Sequence, residues 1–161
     1  MKHLSRFWTL LRFCLSWIFL WPFFDKLLGL GFSTKPEASW LNGGSPTTGF
    51  LKFGTKGPLA EIFHMLAGQQ WVDWLFMIGL LLIGLSLLLG VGLRIASYAG
   101  AILLMLMWLA TFPPLHNPFL DEHIIYALVL LVLPSVNAGH WFGLADKWSQ
   151  TNLVKKYPFL Q

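Results

Sequence analysis

The chain has 161 residues, of which 56% are hydrophobic and only 11% are charged. Because soluble domains usually carry about a quarter charged residues, this composition argues against a soluble globular protein and indicates that lipid is its solvent. The net charge of +4 does not indicate a nucleic-acid partner, because the basic residues flank apolar stretches and form no basic patch. One cysteine, Cys14, excludes a dithiol couple within these 161 residues.

Four apolar stretches predict four membrane-spanning helices, at about residues 10–30, 72–93, 95–112 and 119–136. Each approaches or exceeds the roughly 18–20 residues that a helix needs to cross a bilayer. The predicted fold is therefore all-α. We expect an integral membrane four-helix bundle, formed by a single domain over residues 1–161.

The first stretch can be framed as residues 7–24 or as residues 13–30. We prefer the second frame, because it places Arg12 at the inner boundary and gives Lys26 a counter-charge in the acidic residues of the fourth stretch. No small-residue cleavage site follows the stretch, so we interpret it as an uncleaved anchor and not as a signal peptide.

Residues 31–71 form a long connection, and its apolar content indicates that it is folded. Apolar residues recur at helical spacing within residues 57–66, which predicts an amphipathic helix with Pro58 at its first position. Ser45 would be the N-cap of another short helix. We expect both helices to lie in the membrane interface, so that this extracytoplasmic connection forms a lid over the outer end of the bundle.

The third connection is short and rich in proline. Pro113 and Pro114 are expected to end the third helix. Asn117 followed by Pro118 suits the N-cap and the first position of the fourth helix.

Basic residues indicate the orientation. The positive-inside rule predicts that both termini, and the tail at about 140–161, lie in the cytoplasm. The residues that carry this prediction are Lys2, Arg6, Arg12, Arg94, Lys147, Lys155 and Lys156.

Ionisable residues collect at the predicted outer end of the bundle. Such groups are costly at the edge of hydrocarbon and are therefore candidates for a functional site. The candidates for substrate binding are Asp25, Lys26, Asp73, Asn117, Asp121 and Tyr126, and those for catalysis are Glu122 and His123.

Helical spacing separates the roles within the fourth stretch. Glu122 and Tyr126 share a face at i and i+4, and this face could bind a quinone headgroup and pass protons, with His123 to one side. Alternatively, Asp121 and Glu122 are stabilising charges at a helix N-terminus. No metal-ligand spacing and no haem or flavin motif is visible in the sequence.

Several segments together resemble the DoxX family, and most closely its DoxD-like branch, over about residues 12–148. The most specific segment is 117–128, NPFLDEHIIYAL. The other matching segments are WPFFDKL at 21–27, LNGGSPTTGFL at 41–51, GPL at 57–59, DWL at 73–75 and the glycine-rich stretch at 79–94.

The resemblance implies a four-helix membrane subunit of a thiosulfate:quinone oxidoreductase in a bacterial or archaeal cell membrane. Its substrate would be thiosulfate or another sulfur or thiol compound, and quinone would accept the electrons. Lys26, Asp121, Glu122 and His123 occupy positions that match the family motif. Because the chain has no cofactor motif, electron transfer would need a second redox subunit or a soluble redox partner, and the chain could also form a homo-oligomer.

Two other hypotheses remain open. The protein could be a non-catalytic membrane module that binds or transports a lipid-like or anionic ligand at the polar outer end. It could also be a membrane anchor for a redox enzyme, with the basic tail residues Lys147, Lys155 and Lys156 as the docking surface.

Overall fold

A computed structural model describes residues 2–115 and 117–160 of the chain. This described part is all-helical and contains no β-strand. Its α-helices are α1 (Lys2–Leu28), α2 (Ala60–Leu66), α3 (Gln70–Leu89), α4 (Leu93–Ala110), α5 (Glu122–Val132), α6 (Ala145–Ser149) and α7 (Asn152–Lys156). Short 3-10 turns lie at Pro36–Ala38, Trp40–Asn42 and Pro158–Leu160, and one π turn lies at Phe50–Gly54.

Three helices are long and apolar enough to cross a membrane, which agrees with the predicted lipid environment. They cover Ser5–Leu28, Gln70–Leu89 and Leu93–Ala110, with 24, 20 and 18 residues. Large apolar side chains point outward from all three helices. Trp17, Leu82 and Ile102, for example, are 56%, 58% and 63% exposed, which suits contact with lipid and not with water.

The helices give the molecule two ends, which we name by the segments that cover them. At the loop end, α1 and α4 end and α3 and α5 begin, under the long connection between α1 and α3. At the tail end, α3 ends and α4 begins, and the C-terminal segment from residue 133 onward packs there.

Small residues let the helices approach closely, as they commonly do in membrane bundles. A Cβ at Gly84 of α3 would lie 2.6 Å from the Leu20 side chain of α1, and a Cβ at Gly100 of α4 would lie 2.9 Å from Leu130. Ser16 of α1 donates a 2.8 Å hydrogen bond to the Gly84 carbonyl. Phe19, Met77, Leu87 and Leu130 lie in the hydrophobic core formed in this way.

The fourth apolar helix differs from its predicted bounds. Helix α5 starts at Glu122 with Asp121 as its N-cap, and it ends at Val132 after 11 residues. At 1.5 Å per residue it is about 17 Å long, roughly half of the hydrocarbon thickness. Pro134 lacks a backbone N–H and interrupts the helical ladder, so residues 133–140 continue as turns.

The prediction that the fourth helix begins with Asn117 as its N-cap is wrong. The Asn117 side chain instead accepts hydrogen bonds of 2.9 Å from the Phe119 and Leu120 amides and closes a local turn. The prediction that prolines end the third helix agrees with the last residue of α4, Ala110.

The long connection is folded onto the loop end. Lys56 donates its amide to the carbonyl of Ala110 at 2.9 Å, and Trp40 stacks edge-to-face on Trp74 of α3 at 4.6 Å. Helix α2 starts at Ala60, two residues after Pro58. Its Ile62 and Met65 side chains are 53% and 70% exposed, an apolar surface that suits the interface of a membrane.

The C-terminal segment is also packed. Val154 of α7 is 1% exposed, and the indole of Trp148 donates a 2.7 Å hydrogen bond to the Leu160 carbonyl. The Leu144 amide binds the Leu89 carbonyl at 2.7 Å and joins this segment to the end of α3.

Candidate functional site

A carboxylate–histidine pair lies at the loop end, where α5 begins. One Asp121 oxygen accepts the His123 and Ile124 amides at 3.0 and 3.4 Å, and the other lies 3.0 Å from His123 Nδ1. The side chains of Asp121 and His123 are only 14% and 18% exposed. The pairing orients the ring, so that Nε2, which binds no described residue, is the nitrogen left for a ligand.

Glu122 and Tyr126, which form the predicted ligand-binding face, differ in how exposed their side chains are to solvent. Glu122 is exposed, as are Ile125 and Leu128 further along α5, whereas Tyr126 is half-buried against the core. Within the described ranges, neither side chain forms a hydrogen bond or an ion pair. Of the residues predicted on α5, it is therefore Asp121 and His123 that the structure brings together.

Asp25 is part of the fold at the end of α1. It is 1% exposed, and its two oxygens accept the Phe32 amide at 3.2 Å and the Ser33 amide and hydroxyl at 3.0 and 2.6 Å. Because both oxygens have protein donors, Asp25 holds the start of the long connection against α1.

Lys26, the next residue, has no such partner. Its side chain is half-buried, and the described residues provide it with no hydrogen bond and no salt bridge. The ion pairs in the described ranges are His123–Asp121 and His140–Asp146. The counter-charge expected for Lys26 from Asp121 or Glu122 is therefore not present. The carboxylate that acts on the Lys26 charge is its neighbour Asp25, at a distance longer than a salt bridge.

Asp73, in the first turn of α3, is buried and binds the long connection. One of its oxygens accepts the Ser45 hydroxyl at 2.8 Å and the Thr47 amide and hydroxyl at 3.2 and 2.5 Å. The Ser45 hydroxyl also accepts the Thr48 amide at 3.1 Å, as expected of a capping residue. Asp73 and Ser45 thus position the loop over the N-terminus of α3.

The other histidines near this end do not join the pair. His64 is exposed on α2, and His116 lies outside the described residues. Among residues 2–115 and 117–160, no three His, Cys, Asp or Glu side chains are grouped to hold a metal ion.

The tail end contains a buried cation that the sequence placed at a membrane boundary. Arg12 is 0% exposed. Its guanidinium donates to the carbonyls of Leu87 and Leu88 at the end of α3 and to those of Trp141 and Phe142. Arg12 therefore binds the C-terminal segment to α1 and α3. The signal available in the sequence was an arginine within an apolar stretch.

Comparison of the chain with models of known protein families, with curated proteins and with solved structures found no match. Two side chains at the loop end are available to a ligand. His123 is oriented by Asp121, and Lys26 forms no hydrogen bond or salt bridge within the described residues.

Proposed function

We propose that this protein is the membrane subunit of a quinone-linked oxidoreductase that oxidises thiosulfate or another sulfur or thiol compound. The observation that carries the proposal is the Asp121–His123 pair, a half-buried and oriented imidazole at the end of a predominantly apolar helix bundle. The resemblance of residues 117–128 to the DoxX family supports the same function.

The loop end carries two side chains, His123 and Glu122, that could handle the protons of quinone reduction. Quinone accepts two electrons and two protons when it is reduced. Asp121 holds the ring through Nδ1, and Nε2 of His123 would exchange a proton with a carbonyl oxygen of the headgroup. Glu122, exposed at the start of α5, would exchange protons with water.

Lys26 would recognise the sulfur substrate. Its ammonium forms no salt bridge within the described residues, although the charge of the neighbouring Asp25 acts on it. It would attract a small anion such as thiosulfate. Two thiosulfate ions that lose one electron each can join through a new S–S bond, and the two electrons then reduce one quinone. Because the chain has no redox cofactor motif, we assign the electron path to a second redox subunit or a soluble redox partner.

The proposal includes a membrane topology. Helix α5 and the turns after it would complete a four-helix bundle in the cell membrane of a bacterium or archaeon. The tail end, with its lysines and arginines, would face the cytoplasm, and the loop end would face outward. A homo-oligomer is compatible with this arrangement.

The test is quinone reduction by thiosulfate, measured on the full chain purified with its partner from native membranes. We expect His123→Gln to lower kcat roughly 100-fold, the usual contribution of a general acid or base, and Lys26→Gln mainly to raise KM for thiosulfate. Glu61→Gln, which changes an exposed carboxylate on α2, is the matched control and should leave both unchanged.

Two results would contradict the proposal: no quinone reduction by the complex, or equal activities of the His123→Gln variant and the control. If quinone analogues then raised the unfolding temperature without any electron transfer, the data would favour the non-catalytic binding or transport module. Retention of a redox partner through the basic tail alone would favour the membrane anchor.

A further inference from the structure

A groove opens at the tail end, on the opposite side of the bundle from the Asp121–His123 pair. It lies between the first turns of α4 and the end of α5, and its volume is about 350 Å³. The residues that line it are Arg94, Ser97, Tyr98, Leu131, Pro134 and Ser135. A smaller cavity of about 60 Å³, also lined by Arg94 and Pro134, lies beside it and is bordered by His140.

The groove carries an uncompensated positive charge. Arg94 is exposed, and its guanidinium has no hydrogen bond or ion pair within residues 2–115 and 117–160. It lies in the first turn of the 18-residue helix α4, where the helix dipole also favours an anion. Asp146, which follows the cavity-lining residue Ala145, is paired with His140 at 2.6 Å and lines neither space.

An unpartnered hydroxyl points to the same ligand. Ser97, one turn along α4 from Arg94, is 0% exposed, and its hydroxyl has no hydrogen-bond partner among the described residues. Buried polar groups are nearly always hydrogen-bonded. Ser97 lines the groove, so rotation of its side chain toward the groove would give the hydroxyl an acceptor in a bound ligand.

The other lining residues are of mixed character. Leu131 and Tyr98 are 41% and 59% exposed, and they continue onto the lipid-facing surfaces of α5 and α4, whereas the Ser135 hydroxyl is bonded to the Val132 carbonyl. A site that combines an unpaired cation with apolar side chains facing lipid suits an amphiphile better than a free inorganic ion.

We propose that this groove binds the headgroup of an anionic phospholipid. Arg94 and Ser97 contact the phosphate, and an acyl chain lies along Leu131 and Tyr98. A phosphatidylcholine headgroup is disfavoured because its quaternary ammonium would lie near Arg94. The site is independent of the proposed redox function, because none of its residues belongs to the loop end.

Native mass spectrometry of the purified full chain with added lipid tests the proposal directly. We expect phosphatidylglycerol to bind at least tenfold more tightly than phosphatidylcholine. Arg94→Gln should weaken phosphatidylglycerol binding about tenfold or more, as expected for the loss of a charge-assisted hydrogen bond. Arg6→Gln is the matched control, because Arg6 is an exposed cation near the start of α1 and does not line the groove.

Ser97→Ala separates a ligand contact from a structural role. Because the hydroxyl has no partner in the described part of the chain, its removal should leave the unfolding temperature of the lipid-free chain unchanged or slightly raised. It should nevertheless reduce the extra thermal stability that phosphatidylglycerol gives.

Three outcomes would overturn the proposal. Equal binding of phosphatidylglycerol and phosphatidylcholine would remove the anionic preference. Equal losses in the Arg94→Gln and Arg6→Gln variants would indicate diffuse attraction to the basic surface. Stabilisation by inorganic phosphate equal to that by phosphatidylglycerol would assign the groove to a small anion and not to a lipid.

Discussion

The two ends of the bundle satisfy their backbone groups with opposite charges. At the tail end, the cation of Arg12 donates to carbonyls at the end of α3 and in the C-terminal segment. At the loop end, Asp25, Asp73 and Asp121 each accept backbone amides. Arg12 pairs carbonyls that the C-terminus of α3 leaves free, and Asp121 pairs amides at the N-terminus of α5. Asp25 and Asp73 instead bind amides of the long connection.

The hydrogen-bond partners of each charge therefore distinguish structural from functional charges near apolar helices. A charge held by several backbone hydrogen bonds belongs to the fold, whereas an ionisable group or ring nitrogen with no hydrogen bond or salt bridge is available to a ligand. By this criterion Arg12 and Asp25 are structural. The available groups are Lys26 and the Nε2 of His123 at the loop end, and Arg94 at the tail end.

The largest effect is expected from Arg12→Gln, which removes the charge that organises the tail end. Glutamine cannot reach all four carbonyls, and buried acceptors left unpaired are costly. We expect the free energy of unfolding to fall by about 3–5 kcal/mol, because several buried carbonyls would lose a charged donor and each unpaired acceptor costs about 1–3 kcal/mol. Thermal unfolding in detergent measures it, and Arg6→Gln should change little. A similar small loss in both variants would show that Arg12 does not bind the C-terminal segment to the bundle.

The next largest loss of stability is expected at Gly90, where the backbone packs closely against Gly139 and the Arg12 guanidinium. Gly90 has φ +71°, and a Cβ there would lie 2.7 Å from the Gly139 carbonyl oxygen and 3.2 Å from the Arg12 guanidinium. Gly90→Ala should therefore destabilise the protein by roughly 2–4 kcal/mol, from left-handed strain and overpacking together.

Gly79→Ala on α3 is the matched control, since a Cβ at Gly79 meets nothing within 4 Å. The control should stabilise the helix by up to about 1 kcal/mol, because alanine is the better helix former. A neutral Gly90→Ala variant would contradict the tight packing of the C-terminal segment against the end of α3.

Sequence alone predicted much of the fold. The three long helices follow from apolar length and from the residues that end them, such as the prolines after Ala110. The N-cap of α5 was predicted to be Asn117 and is Asp121. Both side chains accept amides from the residues that follow them, and both close turns. Which of them starts the helix depends on how the connection packs.

The partners of the charges were beyond sequence reasoning. Arg12 binds carbonyls that lie 75 and 130 residues along the chain, and no local pattern reports such contacts. The loop-end acids were recognised as unusual, but their partners in the long connection were not. The groove at Arg94 is formed by residues 94–98 and 131–135, which are distant in sequence and adjacent in the structure. The sequence therefore contained no motif for it other than a single arginine.

At the loop end, Asp25→Ala tests whether an anion organises the connection as Arg12 organises the tail. Two amides and a hydroxyl would lose their acceptor. We expect a loss of about 2 kcal/mol, smaller than for Arg12 because the freed donors lie in a loop that can move toward water. Hydrogen exchange at Phe32 and Ser33 should accelerate. Glu37→Ala, at an exposed position in the same connection, should change neither quantity, and unchanged exchange in Asp25→Ala would contradict the capping role.

The smallest expected losses of stability are those of variants at Asp121 and Glu122, the two adjacent acids at the start of α5. Asp121 accepts two amides of the first turn, so Asp121→Ala should cost about 1 kcal/mol, the usual value of an N-cap. Glu122→Gln should cost less than about 0.5 kcal/mol, because an exposed charge near a helix N-terminus contributes only a weak dipole term. Thermal unfolding of both variants measures the difference. Equal losses would mean that the two carboxylates act only through the helix dipole, and His123 would then have no dedicated partner to orient its ring.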